Sequence, residues 1–356
     1  MREQIAYFSF LRYILNDHST LSAEIFNVNW KDFLFWSEKQ AILGIVYDGI
    51  LTAGKEINIP FDVLMKWIGY ANQIENCNRK LNKKCIEVTS EYRNVGFSCM
   101  FLKGQGNATM YSKPLLRQPG DIDLLILNAD RKKIIEYTKT KHEIGEIRYH
   151  HLEYDDNGIS VEVHFIPCQM NNPIYHRRLM KWLREHSEIK ESAELPDVLG
   201  KLPVPSKDFN LVFQLAHMMH HFFDEGIGLR QMMDYYYLLR SSTKLEIRKE
   251  KLEMTLKYLG LWKFAGAVMY VMREVFGMEE QFMIAPVDER RGRTLLNEIL
   301  KGGNFGKYSG LTQHSTGGKY FLKHWRNLHF VREYPSEALC EPIFRTWHFF
   351  WRLRHR

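Results

Sequence analysis

Residues 103–126 read KGQGNATMYSKPLLRQPGDIDLLI and end in an apolar segment that contains two acidic residues. Successive side chains of a β-strand point to opposite faces, so Asp121 and Asp123 would project to the same side, about 6 to 7 Å apart at the backbone. The apolar residues around them are typical of a strand that is covered on both faces. Two carboxylates in such a place repel each other and lose hydration unless a cation neutralises them. The segment therefore predicts a buried strand with a divalent-cation site, for which Mg²⁺ is suited by its preference for oxygen ligands.

A glycine-rich corner precedes the acidic strand. Residues 97–102 have strand character. Lys103 and Gly104 follow them and form the corner, and a helix is predicted at residues 105–111. Such a corner exposes backbone N–H groups, and glycine lets a phosphate come close to them. Lys103 would add a positive charge, and Arg117 could bind a phosphate or one of the two carboxylates. A phosphate corner, a basic loop and an acidic strand occur in the order that a nucleotide site requires.

A β-hairpin is predicted further along the chain. The turn sequence DNG at residues 156–158 separates two segments with strand character, 149–154 and 159–165. Glu162 and His164 are two residues apart and would share one face of the second strand. Beside the acidic strand, Glu162 would complete a set of three carboxylates, which can hold two metal ions. The alternative is a half-exposed strand with a solvated glutamate and a hydrogen-bonded histidine.

Taken together, these residues resemble the uncharacterised nucleotidyltransferases of the DNA polymerase beta superfamily. The typical core of that family is Lys-Gly, then Tyr-x-x-Pro-x-x-Arg-x-x-Gly-Asp-Ile-Asp-Leu-Leu, and this chain has the same residues at 103–104 and 111–125. The family also shows a Glu-x-His element, which VEVHF at 161–165 matches. Many members of the wider superfamily have Gly-Ser at the first corner, whereas this chain has KGQG at 103–106.

The pattern and the resemblance predict an α+β fold, in which a small mixed β-sheet core is flanked by N- and C-terminal helical regions. The resemblance implies that three residues are catalytic and bind Mg²⁺ or Mn²⁺: Asp121, Asp123 and Glu162. Nucleotide and phosphate binding is expected at four residues: Lys103, Gly104, Arg117 and Gly120. His164 would lie in the same cleft.

Three histidines share one face of a later predicted helix, at i, i+3 and i+4. They are His217, His220 and His221. No acidic or cysteine ligand accompanies them at a known zinc spacing, so this pattern alone does not predict a zinc site. Family members carry a similar helix, a Gly-Ile-Gly-like turn, an Arg and an Asp, and by that resemblance His217, Arg230 and Asp234 line the cleft. Alternatively, Arg230 and Asp234 pair with each other on the helix surface, because they are four residues apart.

Length and composition limit the class of protein. The chain has 356 residues and 45% hydrophobic residues, which is enough for a globular protein of two or three structural units. The predicted units are an N-terminal helical region at 1–95, the nucleotidyltransferase core at 96–168 and a C-terminal helical domain at 169–356. The 5 cysteines include no CxxC pair, so neither a disulfide framework nor a cysteine-based zinc site is predicted. With no apolar run of about 18 residues, the chain is expected in the cytoplasm without a membrane span.

The net charge of +7 would suit a nucleotide or RNA partner, although interleaved acidic residues also fit solvated helix faces.

The predicted reaction is transfer of a nucleoside monophosphate from a nucleoside triphosphate, with ATP expected, to a hydroxyl acceptor. The acceptor could be a small molecule, a sugar, a protein or an RNA. Two alternatives are a non-catalytic nucleotide-binding regulator and an RNA- or tRNA-directed binding module.

Overall fold

The computed structural model describes residues 2–16, 20–189, 191–242, 245–309 and 325–354. The helices are α1 Arg2–Leu15, α2 Trp30–Lys39, α3 Leu43–Ala53, α4 Phe61–Arg93, α5 Gly104–Ala108, α6 Arg131–Lys139, α7 Pro173–His186, α8 Lys207–Asp224, α9 Leu229–Ser241, α10 Leu245–Tyr258, α11 Trp262–Phe276, α12 Glu289–Gly302 and α13 Pro335–Arg354. The strands are β1 Cys99–Phe101, β2 Ile122–Ile126, β3 Ile144–Ile147, β4 His151–Asp156, β5 Ile159–His164, β6 Glu191–Glu194 and β7 Lys201–Val204. None of the helices described here has both the length and the apolar character needed to cross a bilayer.

A mixed β-sheet forms the centre of the described structure. Its strand order is β1-β2-β5-β4-β3, with β2 and β5 parallel and the other neighbouring strands antiparallel. A second, smaller sheet pairs β6 with β7 in antiparallel orientation. This mixed sheet between helical segments confirms the predicted α+β fold.

Strand β2 is buried along its whole length, as the sequence predicts. Ile122, Leu124 and Ile126 belong to one apolar cluster, which includes buried residues of α4 and α6. Leu125 points to the opposite face and belongs to a larger cluster built by helices from both ends of the chain. Because helices α1 to α3 share that larger cluster with α8, α9 and α11, the first and third predicted parts pack together. Their division into separate units stays a prediction.

The β4–β5 hairpin forms as predicted and sets the position of the third carboxylate. Its turn residues Asn157 and Gly158 have φ angles of 56° and 80°, which is the left-handed backbone that a two-residue type I′ turn requires. Asp156 pairs with Ile159 across this turn. Strand β5 then runs parallel to β2, and the register places Glu162 opposite Asp123.

The two helices α8 and α9 bring the remaining predicted residues to the sheet. Helix α8 begins after Ser206, whose hydroxyl accepts a hydrogen bond from the Phe209 N–H at 3.3 Å and so caps the helix. The turn at residues 226–228 leads into α9 and packs tightly against the polypeptide at residues 304–306. A Cβ atom at Gly228 would lie only 2.8 Å from the Cα atom of Asn304. This close packing fixes the start of α9.

Candidate active site

The three acidic residues singled out by the sequence lie together at one end of two neighbouring strands. Asp121 immediately precedes β2, Asp123 lies within it, and Glu162 is the register partner of Asp123 on β5. One carboxylate oxygen from each residue lies within 4.8 Å of the others. Asp123 is buried, Glu162 is half-buried and Asp121 is exposed. The group therefore extends from the sheet interior to solvent.

Lys103 neutralises part of this negative charge. It follows β1 and precedes α5, a helix of only 5 residues that is shorter than the one predicted at 105–111. The Nζ atom of Lys103 lies 2.8 Å from Oδ1 of Asp123. Burial would lower the pKa of Lys103, but Asp123 and then Asp121 outweigh it and raise the pKa. Lys103 is therefore a fixed cation at the base of the group.

His164 is the second cation in the group. Its Nε2 atom lies 3.1 Å from Oδ1 of Asp123 and 3.3 Å from Oε2 of Glu162. Burial would lower the pKa of His164, but the hydrogen bonds to Asp123 and Glu162 outweigh it and raise the pKa to about 9. Burial would raise the pKa of both carboxyl groups, but Lys103 and then His164 lower the pKa of Asp123, and the hydrogen bond from His164 lowers that of Glu162. The imidazolium thus connects strands β2 and β5.

Asp121 retains negative charge that no cation of the group balances. The neighbouring Asp123 carboxylate raises the pKa of Asp121 to about 6, against the opposing charge of Lys103. Asp123 and Glu162 each contact a cation, Lys103 or His164, whereas among the described residues Asp121 has only the more distant charges of Lys103 and Arg230. The surplus negative charge therefore lies at the solvent-facing end. A divalent cation fits this surplus, since carboxylate oxygens are the ligands that Mg²⁺ and Mn²⁺ prefer.

Arg117 has a different partner from those the sequence suggested. Its Nε atom donates to Oδ1 of Asp234 at 2.8 Å and its Nη2 atom donates to Oδ2 at 2.7 Å. Tyr111 and Asn107 also donate to this carboxylate, at 2.5 Å and 3.3 Å. The Arg117 side chain is 3% exposed. The guanidinium therefore anchors the loop before β2 to α9, rather than binding Asp121 or Asp123.

Arg230 lies closer to the exposed end of the carboxylate group. A Cβ atom at Gly120 would lie 2.6 Å from its Nη2 atom, so a glycine at 120 makes room for this guanidinium. Asp234 is occupied by Arg117, and the suggested pairing of Arg230 with Asp234 on the helix surface does not form. Within the described ranges, no hydrogen bond or ion pair engages the Arg230 guanidinium. Its pKa is lowered, first by burial and then by the charge of Arg117, which favours an anionic ligand here.

The α8 histidines do not converge on a single point. Nε2 of His217 lies 2.9 Å from Nζ of Lys103 and 3.2 Å from Nε2 of His221. His220 turns away and contacts Gln169 at 3.3 Å. Burial holds the pKa of His217 well below its ordinary range and lowers that of His221 to about 3, so both rings are neutral at pH 7. His217 therefore contacts the site through Lys103.

His151 is a site residue that the sequence reading missed. It is buried on β4, opposite His164, and its Nδ1 atom lies 3.3 Å from Oε2 of Glu162. The turn sequence nevertheless predicts the position of His151. A two-residue DNG turn pairs Asp156 with Ile159, and counting back along both strands places His151 opposite His164.

The chain matches a known protein family. A family model described as "Uncharacterised nucleotidyltransferase" matches residues 27–277, which is well over half of the chain and includes every residue of the site described above. No curated protein sequence matches the chain significantly.

Proposed function

The chain belongs to the uncharacterised nucleotidyltransferase family, and on that premise we propose that it is a metal-dependent enzyme that transfers a nucleoside monophosphate to a hydroxyl acceptor. The observation that carries this proposal is the convergence of Asp121, Asp123 and Glu162 from two neighbouring strands. The same arrangement supports the resemblance to the DNA polymerase beta superfamily. ATP is the proposed donor, and a cytoplasmic location would supply it.

The donor set and its charge fit a divalent metal ion. Asp121, Asp123 and Glu162 would hold Mg²⁺ or Mn²⁺, and the surplus negative charge lies at the end that reaches solvent. When bound, such an ion neutralises phosphate charge and lowers the pKa of an attacking hydroxyl. Lys103 and His164 keep the buried carboxylates ionised, because both are cations in contact with Asp123.

In the proposed reaction, the acceptor oxygen attacks the α-phosphorus of the triphosphate. A new oxygen–phosphorus bond forms, the bond between the α-phosphorus and its bridging oxygen breaks, and pyrophosphate leaves with the electron pair. The acceptor proton passes to Glu162, whose side chain is 18% exposed and reaches the cleft. Lys103 and Arg230 stabilise the charge of the phosphates, and Gly104 and Gly120 allow close approach. Arg117 is assigned a positioning role, since its guanidinium is held by Asp234.

The experiment that tests this function measures pyrophosphate release by the purified full-length chain. ATP and Mg²⁺ are supplied with a panel of hydroxyl acceptors, which are small molecules, sugars, protein and RNA. We expect the substitutions Asp121→Asn and Asp123→Asn to reduce Mg²⁺-dependent release at least about 100-fold, since losing a metal ligand removes several kcal/mol of transition-state stabilisation. Unchanged release in both variants would refute the assignment.

Glu153→Gln is the matched control. Glu153 lies opposite Glu162 on β4 and on the same face of the sheet, but it is outside the group of carboxylates that converge. We expect this variant to release pyrophosphate at the wild-type rate. Circular dichroism on all three variants would separate a loss of chemistry from a loss of fold.

The two alternative functions give different outcomes in the same experiment. Nucleotide binding without product for any acceptor would identify a non-catalytic regulator. An RNA-directed module would bind RNA with steep salt dependence even after Asp123 is replaced. The structure gives little support to this last alternative, because two basic residues of α13 are engaged internally. Arg345 contacts Asp224 at 2.8 Å and Arg352 contacts Glu146 at 2.5 Å.

A further inference from the structure

The β4–β5 hairpin places a second set of metal-ligand atoms beside the three carboxylates. His151, Glu162 and His164 lie on the same face of the hairpin, because His151 is the cross-strand partner of His164 and Glu162 is two residues before it. Oε2 of Glu162 lies 3.3 Å from Nδ1 of His151 and 3.3 Å from Nε2 of His164. The three ligand atoms are all within 4.8 Å of one another.

His151 is a buried histidine whose imidazole ring makes no hydrogen bond to any residue that the structure describes. It is 2% exposed, and neither of its ring nitrogens has a hydrogen-bond partner within the described part of the chain. The Nδ1 atom is close to the Glu162 carboxylate, but the geometry is not that of a hydrogen bond. A buried imidazole without hydrogen bonds loses its hydration without compensation. An ion between His151 and Glu162 would remove that cost, since a neutral ring nitrogen is a metal ligand.

The chemistry of the donors differs from that of the carboxylate group. Two imidazole nitrogens and one carboxylate oxygen suit Zn²⁺ and Co²⁺, whereas three carboxylates suit Mg²⁺. Zinc binds these ligands at about 2.0 to 2.2 Å, and at that length two ligands of a tetrahedral site lie about 3.3 to 3.6 Å apart. The two separations of 3.3 Å, from Oε2 of Glu162 to Nδ1 of His151 and to Nε2 of His164, match this spacing.

We propose that His151, Glu162 and His164 form a second metal site, which takes a nitrogen-preferring divalent ion of the Zn²⁺ class. On binding, the ion replaces the proton on Nε2 of His164, and that proton is released to solvent. It shares Glu162 with the carboxylate group but differs from it in two of its three ligands. Three protein ligands leave a coordination position open for water or a substrate oxygen, as in catalytic zinc sites. This proposal does not depend on nucleotidyl transfer, because it is argued only from the hairpin and its donors.

The test uses Co²⁺ as a spectroscopic probe of the full-length, chelator-treated protein. Co²⁺ that is bound by nitrogen ligands at low coordination number gives a visible absorption band, and titration gives its affinity. We expect wild-type protein to show this band. His151→Gln should weaken Co²⁺ binding at least about tenfold, whereas Asp121→Asn should keep both the band and the affinity, since Asp121 belongs only to the carboxylate group.

His220→Asn is the matched control, since it removes a neighbouring histidine that contacts Gln169 instead of Glu162. This variant should bind Co²⁺ like the wild type. If His151→Gln fails to fold, His151→Asn and His164→Asn provide the same comparison. Absence of the band in the folded wild type would overturn the proposal, as would equal loss in Asp121→Asn and His151→Gln. Pyrophosphate release is not part of this readout, so failure of the proposed function leaves the result interpretable.

Discussion

Arg117 and Asp234 form a buried ion pair in which two guanidinium nitrogens donate to the two carboxylate oxygens, at 2.8 and 2.7 Å. Tyr111 donates to the same carboxylate. Two residues of the Tyr-x-x-Pro-x-x-Arg motif thus fix the loop before β2 to helix α9. That loop ends at Gly120, next to Arg230 and the exposed carboxylate of Asp121. The ion pair therefore positions the site without reaching it.

Replacing Asp234 with Asn should destabilise the protein by about 3 to 5 kcal/mol, because the Arg117 guanidinium would be left buried without its counter-charge. The measurement is the urea midpoint, compared with that of the double variant Arg117→Met/Asp234→Asn. The double variant should lose less unfolding free energy than Arg117→Met and Asp234→Asn lose when their separate losses are added, because both substitutions remove the same interaction. A cost below about 1 kcal/mol for Asp234→Asn would contradict the assigned role.

Gly120→Ala should weaken ATP binding about 10- to 100-fold. The added Cβ atom would lie 2.6 Å from Nη2 of Arg230, so the guanidinium must move, and a hydrogen bond to a charged phosphate contributes about 1.5 to 3 kcal/mol. Isothermal titration with ATP and Mg²⁺ measures the change. Wild-type affinity in Gly120→Ala would show that Arg230 does not bind the phosphates.

Gly69→Ala is the control for that substitution. Gly69 lies inside helix α4, and an added Cβ atom there would meet no atom within 4 Å. We expect unchanged ATP affinity and a gain in stability of up to about 1 kcal/mol, because alanine favours a helix interior over glycine.

His217→Leu should lower kcat/KM about 10- to 100-fold by removing the acceptor that holds Lys103, at 2.9 Å from Nζ. An ammonium group can only donate, so His217 Nε2 accepts this bond. His217→Gln retains an acceptor oxygen and should recover part of the lost activity. If leucine and glutamine give equal rates at equal stability, His217 has no positioning role for Lys103.

Glu337 on α13 makes stability depend on pH. Burial raises the pKa of this carboxyl to about 7, although the N–H groups of Asn171 and Asn172 donate to it and oppose the shift. The folded state then binds the proton more tightly than the unfolded state. Protonated Glu337 therefore stabilises the folded state. This contribution is fully present below about pH 4.5 and is lost as the pH rises through about 7.

The variant Glu337→Gln isolates this contribution. The difference in unfolding free energy between wild type and variant should change by about 3 kcal/mol between pH 4.5 and 7.5, with the wild type losing stability as the pH rises. Urea unfolding at several pH values measures it. A constant difference over that range would contradict the assigned pKa.

Local patterns in the sequence were enough to predict most of the sheet around the site. The apolar residues around Asp121 and Asp123 predicted a buried strand, and the turn DNG predicted the hairpin that brings Glu162 to Asp123. The hairpin register also contained His151, since a two-residue turn determines every cross-strand pair. Helix α5 is shorter than its pattern predicted and ends at Ala108, where the chain enters the loop held by α9.

The sequence by itself determined the residue types, their faces on the strands and the carboxylate group, because strand period and turn geometry act over a few residues. Only the tertiary structure decided which partner each buried charged side chain contacts. Arg117 pairs with Asp234 across 117 residues of chain, and Lys103 contacts His217 across 114. Such partners are selected by how helices α8 and α9 pack on the sheet, and each buried charge binds the counter-charge that this packing brings within reach.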